Sequence, residues 1–181
     1  MFDKLIEFLL NFWNDLMPIT YVNEWEQAVY LRFGKYRKTI GPGVTFKIPF
    51  VDKLWSTPVI TQTVHLQPQT LTTLDEHGIV LKSIVRYHIS DTKKYLLHLM
   101  HASDVLVDTT QGIIRDRVER TNWYDLENVN DVLTQEVSEA VKMWGIEIER
   151  VTLTDLGIIS TYRIMSDTTK PTIHINTNNE Q

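Results

Sequence analysis

The stretch VYLRFGKYRKTIGPGVTFKIPFVDKL, residues 29–54, alternates apolar and polar side chains, stops at a glycine, restarts, and stops again at a proline. Val29, Leu31 and Phe33 fall on one side of the first run and Tyr30 and Arg32 on the other, the period-two signature of a half-buried strand. Gly34 ends that run. The glycine–proline–glycine triplet at 41–43 is a turn signal, and after it Val44, Phe46 and Ile48 recur at alternate positions. The second run therefore reads as a strand paired with the first. Pro49 and Phe50 break it before Asp52 and Lys53 turn polar.

Working outward, residues 56–74 are rich in Thr and β-branched residues, with Pro58 and Pro68 confined to edges or breaks. A turn is expected around His77 and Gly78. Beyond it Ile79, Leu81, Ser83, Val85, Tyr87 and Ile89 share one face of a strand. Residues 25–90 thus predict an antiparallel sheet of about four to six strands. Asp91 offers an N-cap for a helix over 92–101. A second helix over 103–120 has Ser103 or Asp104 as its cap. A third spans 129–144, where Leu133, Val137, Ala140, Val141 and Trp144 fall at helical spacing before Gly145 in the C′ role. Ile146, Ile148, Val151 and Leu153 mark a last strand, and the three-residue step from Ile148 to Val151 requires a bulge. Strands, helices, strand: the fold class is α+β, an antiparallel sheet with helices on one side.

Composition narrows the function classes. The chain of 181 residues has a net charge of −5 and contains no cysteine. Disulfides, thiolate metal sites and cysteine nucleophiles are excluded. The chain is acidic overall and shows no basic face over a long window, so nucleic acid is not an expected partner.

The first seventeen residues, MFDKLIEFLLNFWNDLM, are steeply amphipathic. At about 100° per residue, Asp3, Lys4, Glu7, Asn11, Asn14 and Asp15 occupy one arc. Phe2, Leu5, Ile6, Phe8, Leu9, Leu10, Phe12, Trp13, Leu16 and Met17 fill the other, and Pro18 ends the helix. Such a helix either packs on its own domain or lies in a membrane interface with its apolar arc among acyl chains. The apolar arc spans roughly 200°, wider than packing on a small domain requires, which favours the interface and makes these ten residues candidate membrane contacts. Three acids and one lysine on the polar face give it no attraction for anionic lipid.

Four stretches together carry a family resemblance. Residues 29–54 look like the opening of the stomatin/prohibitin/flotillin (SPFH, or band-seven) family, with an arginine–phenylalanine–glycine strand, a glycine–proline–glycine turn and a proline–phenylalanine break. LTTLDEHGIVLKSIVRYHISD (71–91), TTQGIIRDRVERTNWYDL (109–126) and VKMWGIEIERVTLTDL (141–156) resemble that family's hairpin, its arginine-bearing helix and its tryptophan–glycine–isoleucine strand entry. The order is kept over residues 24–157, and stomatin-like members are the most similar. The resemblance implies an SPFH domain at 24–157, a membrane-associating helix at 1–18 and a polar tail at 158–181. It further implies a membrane-associated, oligomerising scaffold that organises a membrane patch or regulates a membrane protein such as a channel or protease. The alternative is a soluble module that joins or caps the assembly of a longer SPFH protein. Expected partners are membrane lipid and other copies or longer SPFH relatives. The expected location is monotopic on the inner or plasma membrane, with the domain on the cytoplasmic side. Val44, Phe46, Ile48 and Phe50 become either core, the simpler reading, or a shallow lipid-facing edge. Family members usually continue into a long Ala/Glu/Arg-rich helix. Residues 157–181 carry Pro171 and no heptads instead, so assembly is expected through the domain or a longer relative.

No set of residues points to catalysis, a cofactor or a metal. His98 and His101 have helical spacing but lack further ligands. Asp75, Glu76 and His77 sit in a turn where such residues face solvent. Residues 41–47 lack the lysine placement of a phosphate-binding loop. Arg115, Arg117 and Arg120 predict ion pairs along or between helices, or recognition of a neighbouring protomer or partner carboxylate.

Overall fold

The computed structural model describes residues 19–159, together with Lys4. The membrane helix expected at 1–18, Lys4 apart, and the polar tail beyond residue 159 lie outside the described residues.

Two long strands form the spine. β8 (Gly78–Ile89) and β9 (Ile146–Ile158) pair antiparallel from Ile79 opposite Ile158 to Ile89 opposite Ile146. Every second residue of β8 from Ile79 to Ile89 is buried, as its alternation predicted. The ladder shifts register between Arg86/Tyr87, where Arg86 faces Arg150 and Tyr87 faces Ile148. Glu149 is the extra residue, so Ile148 and Val151 both reach the core through the expected bulge. On the other edge of β8 lie two short strands, β6 (Gln62–His65) and β7 (Gln69–Thr72). Pro68, which has no N–H to donate, falls in the gap between them.

The helices cover one face of this sheet. α1 (Thr92–Leu97) starts at Asp91, whose carboxylate accepts from the Lys94 amide at 3.1 Å. α2 (Ala102–Val118) turns Leu106, Ile114 and Val118 inward, and α3 (Asn130–Val141) does the same with Leu133, Val137 and Val141. These six meet Ile79, Leu81, Val85 and Tyr87 from β8 in one apolar cluster. α1 ends earlier than expected, because residues 98–101 form a tight connection in which His101 takes φ 55°. His101, and not Ser103 or Asp104, therefore precedes α2.

The other half departs from a single sheet. β2 (Glu26–Arg32), β3 (Lys35–Ile40) and β5 (Asp52–Pro58) make a three-stranded sheet in the order β3-β2-β5. Phe33 and Gly34 both have positive φ, 51° and 74°, as a two-residue hairpin of the type I′ class demands. Phe33 thus leaves the strand face assigned to it with Val29 and Leu31, and its ring is 76% exposed. The run after residue 43 does not pair with β2. The turn at 41–43 swings it away as β4 (Gly43–Phe46), which pairs with β1 (Ile19–Val22), a strand that the alternation pattern had not marked. β5 takes the vacant edge of β2, and the Thr92 hydroxyl bonds the Gln27 side chain at 2.9 Å to tie this sheet to α1.

Gly145 makes the tightest approach of the described glycines. It has φ 75°, its carbonyl accepts from the Ser90 and Asp91 amides, and a Cβ there would lie 2.4 Å from the Asp91 carbonyl oxygen. Gly145→Ala should lower the unfolding free energy by more than about 1 kcal/mol in urea titration of the full chain, with the m-value unchanged.

Candidate functional site

The described residues that stand out lie in the β1–β5 half, around a buried carboxylate. Asp52 opens β5 directly opposite Arg32, the last residue of β2. Its side chain is fully buried. Arg32 donates from Nε to Oδ1 at 2.8 Å and from Nη2 to Oδ2 at 3.1 Å. The Tyr30 hydroxyl also donates to Oδ2, while accepting from Arg32 Nη2 at 2.7 Å. A fourth donor is the Ile48 amide, at 2.8 Å. The Arg32 guanidinium is the main reason the Asp52 carboxyl is held well below its ordinary value of 3.8, against an opposing effect of burial. The bond to Asp52, followed by burial, raises the Tyr30 phenol.

This knot clamps the loop that the proline–phenylalanine break creates. The Ile48 carbonyl accepts from the Val51 and Asp52 amides, Phe50 turns at φ 65°, and Phe33 N–H bonds the Val51 carbonyl at 3.0 Å. β4 enters the clamped loop directly. In the β1–β4 ribbon, Ile19 faces Phe46 and Tyr21 faces Val44. All four point to one side, and that side is open: they are 55%, 70%, 74% and 77% exposed. Val22 from the opposite face is buried. The ribbon is thus inverted relative to an ordinary surface hairpin, with its apolar face outward. Val44, Phe46, Ile48 and Phe50 are all exposed, which corrects the core reading of these residues. Ile19 and Tyr21 join them, although nothing in the alternation of 29–54 could have named residues from a strand outside it.

Between this ribbon and the β2–β3 hairpin lies an open cleft of about 430 Å³, lined by Tyr30, Arg32, Arg37, Lys38, Thr45 and Phe46. A bulge explains two consecutive cations on one wall. Tyr30 faces Lys38 and Leu31 faces Tyr36, so Arg37 is an extra residue whose side chain is re-aimed towards the cleft. Arg32 is committed to Asp52. Arg37 and Lys38 are exposed and have no carboxylate partner among the described residues, although Lys38 lies 6.0 Å from the Tyr30 ring centre. Residues 32–53 hold six basic residues against one acid, in a chain of net charge −5. A basic cluster thus stands in a chain that is acidic as a whole, where no basic face over a long window was expected.

The other candidates separate. Arg117 pairs with Glu136 across α2 and α3, with Nε to Oε2 at 3.3 Å. Arg117 and Arg120 line a second, smaller groove of about 280 Å³ with Asp116, Glu136 and Glu139. Arg115 and Arg120 are exposed and make no ion pair among the described residues. His98 and His101 belong to the ends of two different helices, so they do not form an i, i+3 pair on one helix. Asp75 is not simply solvent-facing, since it accepts from the Thr73 hydroxyl at 2.6 Å and the Trp123 amide at 3.1 Å. It pins the β7–β8 turn to the short 3-10 helix Trp123–Asn128. Among the described residues no three acids or histidines are arranged to hold a metal ion.

Residues 20–165 match the profile described as the SPFH domain / Band 7 family. The chain belongs to that family. This SPFH domain is similar to stomatin of Mus musculus, 24% identical over 163 residues, which is 87% of this chain and 56% of stomatin. It is similar to Protein HflK of Haemophilus influenzae at 28% over 135 residues, 71% of this chain and 32% of HflK. An uncharacterized protein of Methanocaldococcus jannaschii is 22% identical over 142 residues, 76% of this chain and 71% of its own length. The chain thus spans about a third of HflK and just over half of stomatin.

The acid knot has a pH signature. Asp52, Asp75 and Asp91 all titrate below their ordinary value of 3.8 in the folded SPFH domain. A depressed folded value contributes stability that is complete above the unfolded value and lost as pH falls through the folded one. Urea midpoints should be flat through neutral pH and fall below about pH 4. In Asp52→Asn, the midpoint should be lower at neutral pH and the acid limb shallower.

Proposed function

We propose that this chain is a peripheral membrane scaffold whose SPFH domain rests on the lipid–water boundary through the outer face of the β1–β4 ribbon. The observation that carries this reading is the set of four opposed, exposed apolar side chains, Ile19, Tyr21, Val44 and Phe46. An exposed apolar face of this kind marks a membrane or partner contact, and aromatic side chains suit a membrane interface. Among the described residues no helix is long and apolar enough to cross a membrane.

Magnitudes bear on how it would hold. Four half-buried side chains at about 1 kcal/mol each give about 4 kcal/mol. That is less than one fatty acyl chain supplies, and one such chain anchors only marginally. A second contribution is needed, and the amphipathic arc of residues 2–17 is the natural source. The function that follows is binding: lateral assembly of SPFH domains, with the exposed Arg115 and Arg120 offered to a neighbouring protomer or partner and Arg117 held beside them by Glu136. The assembly organises a membrane patch or regulates a membrane protein such as a channel or protease, on the cytoplasmic side of the inner or plasma membrane.

Cell fractionation at physiological salt tests this. The full chain should pellet with membranes. Deletion of residues 2–17 should release it in large part, and Val44→Glu/Phe46→Glu in the full chain should weaken retention by about tenfold or more. A full-length chain recovered in the soluble fraction in stoichiometric complex with a longer SPFH protein would instead establish the interaction-module reading.

A further inference from the structure

We propose that the cleft between the β3 bulge and the β1–β4 ribbon receives the net-negative headgroup of an anionic phospholipid, with Arg37 and Lys38 as its cationic partners. The inference rests on the membrane reading above and deepens it by assigning the domain a headgroup preference.

The geometry is that of a site at a lipid boundary. Arg37 and Lys38 stand on one wall because of the register shift in β3, and Phe46 and Thr45 form the facing wall. Phe46 belongs to both surfaces: it lines the cleft and forms part of the exposed apolar face with Ile19. A ligand in the cleft would therefore have its anionic part against two cations and its continuation along an apolar strip. A phospholipid at a membrane boundary joins those two chemistries in one molecule. A free phosphate would satisfy the cations and leave the strip in water. Arg32, although it lines the cleft, has its guanidinium engaged by Asp52, so the neutralised knot leaves Arg37 and Lys38 as the uncompensated charge. A cleft of about 430 Å³ accommodates a headgroup but not its acyl chains. The polar face of residues 1–17, with three acids and one lysine, supplies no such preference. Any selectivity for anionic lipid thus has to come from the domain.

The test is flotation of the full chain with vesicles of phosphatidylcholine alone and of phosphatidylcholine with phosphatidylserine. The wild type should bind the anionic vesicles about 30-fold more tightly, the factor expected for two cations beside an anionic surface, and lose that preference at high salt. Arg37→Gln/Lys38→Gln should abolish the preference while leaving binding to neutral vesicles unchanged. Lys142→Gln/Arg150→Gln, with the same charge change on residues that do not line the cleft, should retain it. Circular dichroism confirms that each variant is folded. Equal binding of wild type to both vesicle types overturns the cleft assignment and leaves the membrane reading standing. Equal loss in the two double variants assigns the preference to overall charge and also overturns the cleft. Binding to neither vesicle overturns both. Saturable binding of glycerophosphoserine in free solution, at the affinity seen for vesicles, replaces the lipid with a soluble phosphate ligand.

Discussion

The Asp52 carboxylate lies wholly out of water and takes four hydrogen-bond donors: two from Arg32, one from Tyr30 and one from the Ile48 amide. A buried charge is tolerated only when paired and fully hydrogen-bonded, and here both conditions are met by residues adjacent across two strands. The consequence is architectural. The loop between β4 and β5 is fixed by polar contacts, and apolar packing is not what holds the ribbon that precedes it. Val44 and Phe46 are therefore not required by the interior. They are left free to face outward, which few domains of this size permit over four neighbouring large side chains.

The two halves of the domain divide their labour along this line. The β8–β9 spine with α2 and α3 contains the apolar cluster and supplies stability. The β1–β5 half presents chemistry: an apolar face, a cationic cleft and a neutralised knot between them. α1 couples the two, since Asp91 is pressed against Gly145 at one end and the neighbouring Thr92 reaches Gln27 in β2.

The spine was legible in the sequence because each of its signals is local and redundant. The alternation of β8, the caps at Asp91 and Gly145, and even the bulge after Ile148 follow from period and spacing alone. The presenting half was legible only in outline. Alternation identifies which residues of a strand share a face, but not whether that face meets the interior or the outside. For Val44 and Phe46 the two outcomes have identical patterns, and the partner strand that settles the matter, β1, lies beyond the turn that dominated the reading. The sheet of four to six strands was split for a related reason, since nothing in an apolar period says when a turn will carry the chain out of one sheet into another. The cleft was hidden twice over. Its charge is diluted in a whole-chain sum, and its second cation is brought round by a one-residue bulge in β3 that hydrophobic spacing does not record.

The central claim is that the outer face of the β1–β4 ribbon lies at the lipid–water boundary. Since the chain has no cysteine, Val44→Cys accepts a single nitroxide label, and the full chain so labelled can be bound to vesicles. Power saturation then compares collision of the label with molecular oxygen, which concentrates in lipid, and with a water-soluble nickel chelate. The account predicts that vesicle binding raises oxygen accessibility and lowers chelate accessibility at this position. A label that remains as open to the chelate on vesicles as in solution would contradict it.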